Sequence, residues 1–115
     1  MARAATTSDA FNAVAEPRRR DILDYLASQE RGVGDIVLKL GIEQPSVSKH
    51  LRVLRRAGLV DVRGDAQRRI YRVRAEPLRA VDEWLLPYRT LWGARLDALE
   101  LHLQPMRPDE PQSLT

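Results

Sequence analysis

Gln44, Ser46, Ser48, Lys49, His50 and Arg52 lie within one short stretch of the 115-residue chain. Their types invite a test for catalysis. Nucleophilic catalysis needs a hydroxyl, a base beside it and a buried acid that orients the base. Ser46, Ser48 and His50 supply the first two types, but side chains two residues apart on a helix point away from each other. No buried acid is placed to orient the histidine. Gly32-x-Gly34 lacks the third glycine and the preceding strand of a dinucleotide loop. The set can instead donate hydrogen bonds to base edges: glutamine suits adenine, lysine suits guanine, and serine suits either. Arg52, Arg55 and Arg56 follow, and guanidinium groups suit phosphate, which positions a protein without specifying sequence. His50 is a candidate contact of either kind, or a packing residue.

The elements around this stretch must hold it outward. Pro45 opens a helix, Val47, Leu51 and Leu54 recur at i, i+4 and i+7, and Gly58 closes it, which predicts a helix over Pro45–Ala57. Before it, Val33–Leu40 reads as a short helix with Ile36, Val37 and Leu40 inward, ended by Gly41. Two short helices joined at a tight glycine turn make a helix-turn-helix. After it, Leu59–Arg63 alternates like a strand, residues 64–67 form a turn, and Arg68–Val73 makes a second strand. Val60, Val62, Tyr71 and Val73 are expected inward, and Arg63, Arg68 and Arg69 near a basic tip. The fold class is therefore mainly α with a small β-hairpin: a winged helix-turn-helix of about five helices and a two-stranded wing.

Upstream, Thr7 or Ser8 caps a helix running through Phe11, Val14 and Ala15. Pro17–Ala27 forms another with Ile22, Leu23 and Leu26 inward, and residues 28–32 are a polar loop. Arg18, Arg19 and Arg20 suit either backbone contacts to DNA or pairing with Glu16 and Asp24. Downstream of Pro77 a stripe of Leu78, Val81, Leu85, Tyr88, Trp92, Leu96, Leu99 and Leu103 steps by 3 or 4 residues. Pro87 inside it should kink or divide the helix at a cost of about 3 kcal/mol. The expected organisation is a flexible arm over residues 1–7, one domain over 8–103 and a disordered tail over 104–115.

Charge is unevenly spread. Residues 44–79 hold 10 basic and 3 acidic side chains, whereas residues 1–43 hold 6 and 7, and residues 80–115 hold 3 and 6. Only Lys39 and Lys49 are lysines, so the basic segment is almost entirely arginine, the residue suited to forked phosphate and guanine contacts. Double-stranded DNA is the partner such a segment fits. There is no cysteine, which excludes disulfides, thiolate metal sites and thiol catalysis. No apolar run reaches the roughly 18 residues of a membrane span, and residues 1–8 lack the core of a secretory signal. A cytoplasmic protein with no membrane partner, no cofactor and no enzymatic activity is expected.

Residues 11–23 (FNAVAEPRRRDIL), 44–60 (QPSVSKHLRVLRRAGLV) and 68–73 (RRIYRV) together resemble the opening helix pair, recognition helix and wing of the ArsR/SmtB-type bacterial winged-helix regulators. The resemblance covers about residues 9–103. It implies a homodimer that represses transcription at a palindromic promoter site, with recognition contacts on Gln44, Ser46, Ser48, Lys49, His50 and Arg52. Many members sense metals through a cysteine pair in the helix before the recognition helix, and here Val33–Leu40 has none. Others use paired Asp and His ligands along the last helix. Here His102 is the one histidine of that helix, a candidate nickel or zinc ligand with Glu100, and no metal site is assigned. The sequence is similar to the branch without an evident metal site, whose last helix carries the Trp-Leu-x-Pro-Tyr pattern seen at Trp84–Tyr88.

The apolar stripe is longer than one small core can cover, so a second copy is expected to bury it through Phe11, Val14, Leu78, Val81, Leu85, Tyr88, Trp92, Leu96 and Leu99. Trp84 and Trp92 read as core or interface anchors. With no sensor site evident, control by expression level or by a second regulatory protein acting on the dimer are the routes left. A metal-responsive regulator of the same fold and a winged-helix module that binds protein are the alternative readings.

Overall fold

A computed structural model of the chain describes residues 7–103, with side chains described for residues 9–96 and for Leu99. The order is α1 (Thr7–Ala15), α2 (Pro17–Ala27), β1 (Arg31–Gly32), α3 (Val33–Leu40), α4 (Gln44–Arg56), β2 (Val60–Asp65), β3 (Arg68–Val73) and α5 (Leu78–Leu103). The described residues thus form five helices and an antiparallel sheet in the order β1-β3-β2, a winged helix-turn-helix. The expected tail, 104–115, and most of the expected arm lie outside the described residues, although Thr7 already belongs to α1. The chain divides into two units between Asp82 and Glu83.

In the first unit, the helix α2 begins where Pro17 fits its first turn, and Glu16 caps it by accepting the Arg18 N–H at 3.1 Å. Arg19 and Arg20 turn back onto α1. Arg19 Nε donates to the Ala13 carbonyl at 2.7 Å, and an Arg20 amino group donates to Val14 at 2.7 Å. These guanidinium groups satisfy carbonyls that the end of α1 leaves without helical partners. Arg18 instead lies 3.6 Å from Asp21.

The core follows from helical spacing. Ile22, Leu23 and Leu26 of α2, Ile36 of α3 and Val47, Leu51 and Leu54 of α4 are buried in one cluster with Ala13, Ala57, Leu59, Val60 and Tyr71. Val37 and Leu40 are half-buried against it. Gly41 ends α3 in the left-handed region at φ 66°, where a Cβ would be strained. The end of α4 is a Schellman turn: the Leu59 N–H reaches Leu54 O at 2.9 Å, the Gly58 N–H reaches Arg55 O at 3.0 Å, and Gly58 has φ 79°.

The sheet differs from the expected two-stranded wing. Arg31 and Gly32, read from sequence as part of a loop, pair with Tyr71 and Ile70 of β3 and add a third strand. A strand of two residues, one charged and one glycine, carries no alternation to read. The strand β3 spans Arg68–Val73 as expected, whereas β2 starts one residue later and runs on through Gly64 and Asp65, leaving Ala66 and Gln67 as the connection, with Ala66 at φ 59°, a conformation usually left to glycine. Opposite β3, Val60 faces Val73 and Val62 faces Tyr71, which sets the core-facing side of the wing. Ile70 is buried as well, on the other side of the strand.

The second unit carries α5 onward from Glu83. The helix runs unbroken through Pro87, so of the two expected outcomes, a kink or a division, the division does not occur. The ring nitrogen of Pro87 denies the Glu83 carbonyl its usual helical donor. Trp84, Leu86, Tyr88, Leu91, Trp92, Leu96 and Leu99 are all exposed, Leu96 by 62%. Among the described residues, no helix is long and apolar enough to cross a membrane.

Candidate nucleic-acid interface

The helix α4 has a seat and a front. Val47, Leu51 and Leu54 are at most 1% exposed and fix it against α1, α2 and α3. At about 100° per residue, this seat turns Pro45, Lys49, Arg52 and Arg56 to the opposite side, with Ser48 and Arg55 along one flank. Gln44, Lys49, Arg52, Arg55 and Arg56 are exposed, and Ser46 and Ser48 are half-buried. The helix contains no acid. Among the described residues, Lys49, Arg52, Arg55 and Arg56 have no ion pair, so their charge is not neutralised within the protein.

His50 sits apart from this front. It is half-buried near Glu16, Arg18 and Arg19 at the start of α2, and its Nδ1 is buried with no hydrogen-bond partner among the described residues. That is the nitrogen a relay acid would have to hold, so the geometry offers no catalytic relay. Burial pushes the imidazole pKa below its ordinary value, Arg19 adds to the effect, Glu16 opposes it, and Lys49 and Arg18 lower it further. The folded state therefore binds fewer protons than the unfolded state. Stability contributed by neutral His50 is full above the unfolded value of about 6.5 and is lost as pH falls below it. Thermal denaturation between about pH 7.5 and pH 5.5 should show this decline, and His50→Gln should flatten it. An equally steep decline in the variant would assign the effect to other groups.

The wing is basic, but most of its arginines are engaged. Arg63 Nε donates to Glu30 at 3.1 Å, Arg68 lies 3.2 Å from Asp35, and Arg72 and Arg74 lie 2.9 and 3.0 Å from Asp61. Hydrogen bonds from Arg72 hold the Asp61 carboxyl below the usual range, and Arg74 adds to this. Of the three tip arginines named from sequence, Arg69 alone has no ion pair among the described residues. Arg69 lines a cavity of about 600 Å³ with Gln67, Arg68, Gln44 and the start of α3, so the wing tip and the first residue of α4 face one concavity. Leu38 also lines it and is 85% exposed; sequence periodicity gave no reason to single out this residue.

The residues expected at a dimer contact are distributed unequally. Phe11, Val14, Leu78, Val81 and Leu85 are half-buried, and Val14 and Leu78 pack on the core of the first unit. Tyr88, Trp92, Leu96 and Leu99 are exposed. The side chains of Glu100 and His102 lie outside the described residues.

The arrangement has counterparts among known proteins. A family model described as "Bacterial regulatory protein, arsR family" matches residues 16–62, which span α2 through the start of β2. The nodulation protein NolR of Rhizobium meliloti is 37% identical over 90 residues, covering 78% of this chain and 71% of its own. The transcriptional repressor SdpR of Bacillus subtilis strain 168 is 31% identical over 81 residues, covering 70% and 90%. The solved structure of HlyU from Vibrio cholerae N16961, a protein described as a transcriptional activator, superimposes with a TM-score of 0.59 at 33% identity, covering 70% of this chain and 89% of that one.

Proposed function

This chain belongs to the arsR family of bacterial regulatory proteins, DNA-binding regulators of transcription, and from that premise we propose that it acts as a homodimeric repressor at a palindromic promoter site. The observation that carries the reading is the front of α4, where Lys49, Arg52, Arg55 and Arg56 have no ion pair among the described residues, on a helix seated by Val47, Leu51 and Leu54. The first turns of α4, from Gln44 to Arg52, choose sequence. Arg55 and Arg56 hold phosphate, and the wing tip reaches the flanking backbone. Two such helices about 34 Å apart match half-sites one helical turn apart. The exposed stripe of α5 supplies the contact between the two copies.

Repression is the simplest output of a dimer that occupies a promoter, and the relative SdpR is described as a repressor. HlyU is described as an activator, so the sign is to be read directly, with a reporter in cells that have and lack the gene. The test of the DNA reading is selection of genomic fragments by the purified protein, followed by binding at several salt concentrations. The affinity should fall with a log–log slope of about −0.9 per phosphate contact. Gln44→Ala and Lys49→Ala should each relax preference at one base position, at about 1–3 kcal/mol per lost forked contact. Unchanged selectivity in both variants would remove α4 as the reader, and sequence-blind binding that ignores salt would favour a protein-binding module.

A further inference from the structure

The wing has two faces, and the chain treats their arginines differently. Directly opposite residues share a face. The register Asp61 to Arg72, Arg63 to Ile70 and Asp65 to Arg68 therefore puts Arg63, Arg68 and Arg72 on one side. Each of these three is engaged by an acid: Glu30, Asp35 and Asp61. Arg69 lies on the other side, opposite Gly64, which has no side chain to cover it.

The brace at Arg68 is specific. Its guanidinium lies 3.2 Å from Asp35 Oδ2, and the same oxygen accepts the Gly32 N–H at 3.1 Å. A Cβ at Gly32 would lie 2.9 Å from the Arg68 Nη2. Gly32 has φ −83°, which any residue adopts, so a Cβ there is opposed by no backbone strain and acts only by pushing aside the end of the flexible Arg68 side chain. The N-terminus of α3 and the end of the wing are thus latched together through Gly32, Asp35 and Arg68.

We propose that this latch positions the wing and that Arg69 is the tip arginine that meets DNA phosphate, with Arg68 and Asp35 acting as positioning residues. The inference rests on the DNA-binding reading above. Both arginines line the concavity shared with Gln44, but Arg68 spends its charge on Asp35, while Arg69 has no ion pair among the described residues.

The test uses full-length protein and a duplex that the wild type selects from random sequence. Salt slopes and hydroxyl-radical footprints are compared for Arg69→Ala, Arg68→Gln, the double variant and Gly32→Ala, with melting curves to verify folding. Arg69→Ala should lose protection flanking each half-site and flatten the slope by about 0.9. Gly32→Ala, which alters no charge, should do the same by displacing Arg68. The double variant should bind within about twofold of Arg69→Ala, because coupled residues are not additive. Gly32→Ala that binds like wild type with its flanks protected would overturn the latch, as would losses at Arg68 and Arg69 that multiply. Failure of the wild type to select any duplex would instead overturn the DNA reading and the latch with it.

Discussion

Leu51→Ala is expected to lower folding stability by about 2–5 kcal/mol, the range for truncating a large aliphatic side chain in a packed core. Leu51 is 1% exposed and lies one helical turn from both Val47 and Leu54, each fully buried. Those three are the buried residues of α4, with Val53 packed at the margin of the same core, so truncating the central one opens space in the middle of the seat. Domains of this size hold only about 5–15 kcal/mol in total, and a loss of this size leaves a measurable unfolded fraction. Urea denaturation at fixed protein concentration measures it, since any dimer links stability to concentration. A loss under about 1 kcal/mol would mean that the site collapses around the smaller side chain, or that α4 is less firmly seated than the burial implies. DNA affinity should fall only with the folded fraction, because Leu51 offers nothing to a groove.

The second large effect is expected on assembly. Trp92→Glu with Leu96→Glu should convert a dimer to a monomer, raising the dissociation constant by at least about 100-fold, as for paired losses at an interface centre. Trp84, Tyr88, Trp92, Leu96 and Leu99 recur at steps of three and four along α5, Leu91 lies three residues after Tyr88, and all are exposed. A large aromatic side chain buries about 150–250 Å² when covered, and contiguous apolar patches of several hundred Å² are uncommon on monomers. Leu86 is an internal control. It is 58% exposed but lies two residues from both Trp84 and Tyr88, which puts it off the stripe. Leu86→Glu should leave assembly intact. Sedimentation velocity gives both answers: a monomeric wild type would overturn the homodimer, and a dimer that both sets of charges leave untouched would move the contact elsewhere.

Much of this was legible from residue types because the helices announce themselves. Val47, Leu51 and Leu54 at helical spacing between Pro45 and Gly58 define α4 to within one residue at each end, and Gly41 marks the turn before it. The exposed front followed, since what is not seat is front. What the sequence hid lies in tertiary pairing. Arg31–Gly32 becomes a strand only because β3 offers it an edge. Arg63 and Arg68 look as free as Arg69 until Glu30 and Asp35, each 33 residues away, are brought beside them. His50 stands among donors in the sequence, yet the rotation of α4 turns it toward Glu16 and Arg19. Arg19 and Arg20 belong to the end of α1, a role visible only once the two helices meet.

The sheet order β1-β3-β2 also bears on how copies of this protein avoid one another. A sheet edge is a template for any passing strand, and long apolar edges promote aggregation. Here one edge is the two-residue β1, which leads directly into α3 and leaves little backbone to pair. The other is β2, where Asp61, Arg63 and Asp65 alternate in sign along the rim. A second β2 laid antiparallel on it would have to accommodate those charges as well as its own. The wing can therefore project into solvent at high local concentration, as on DNA crowded with protein, without seeding strand-to-strand association.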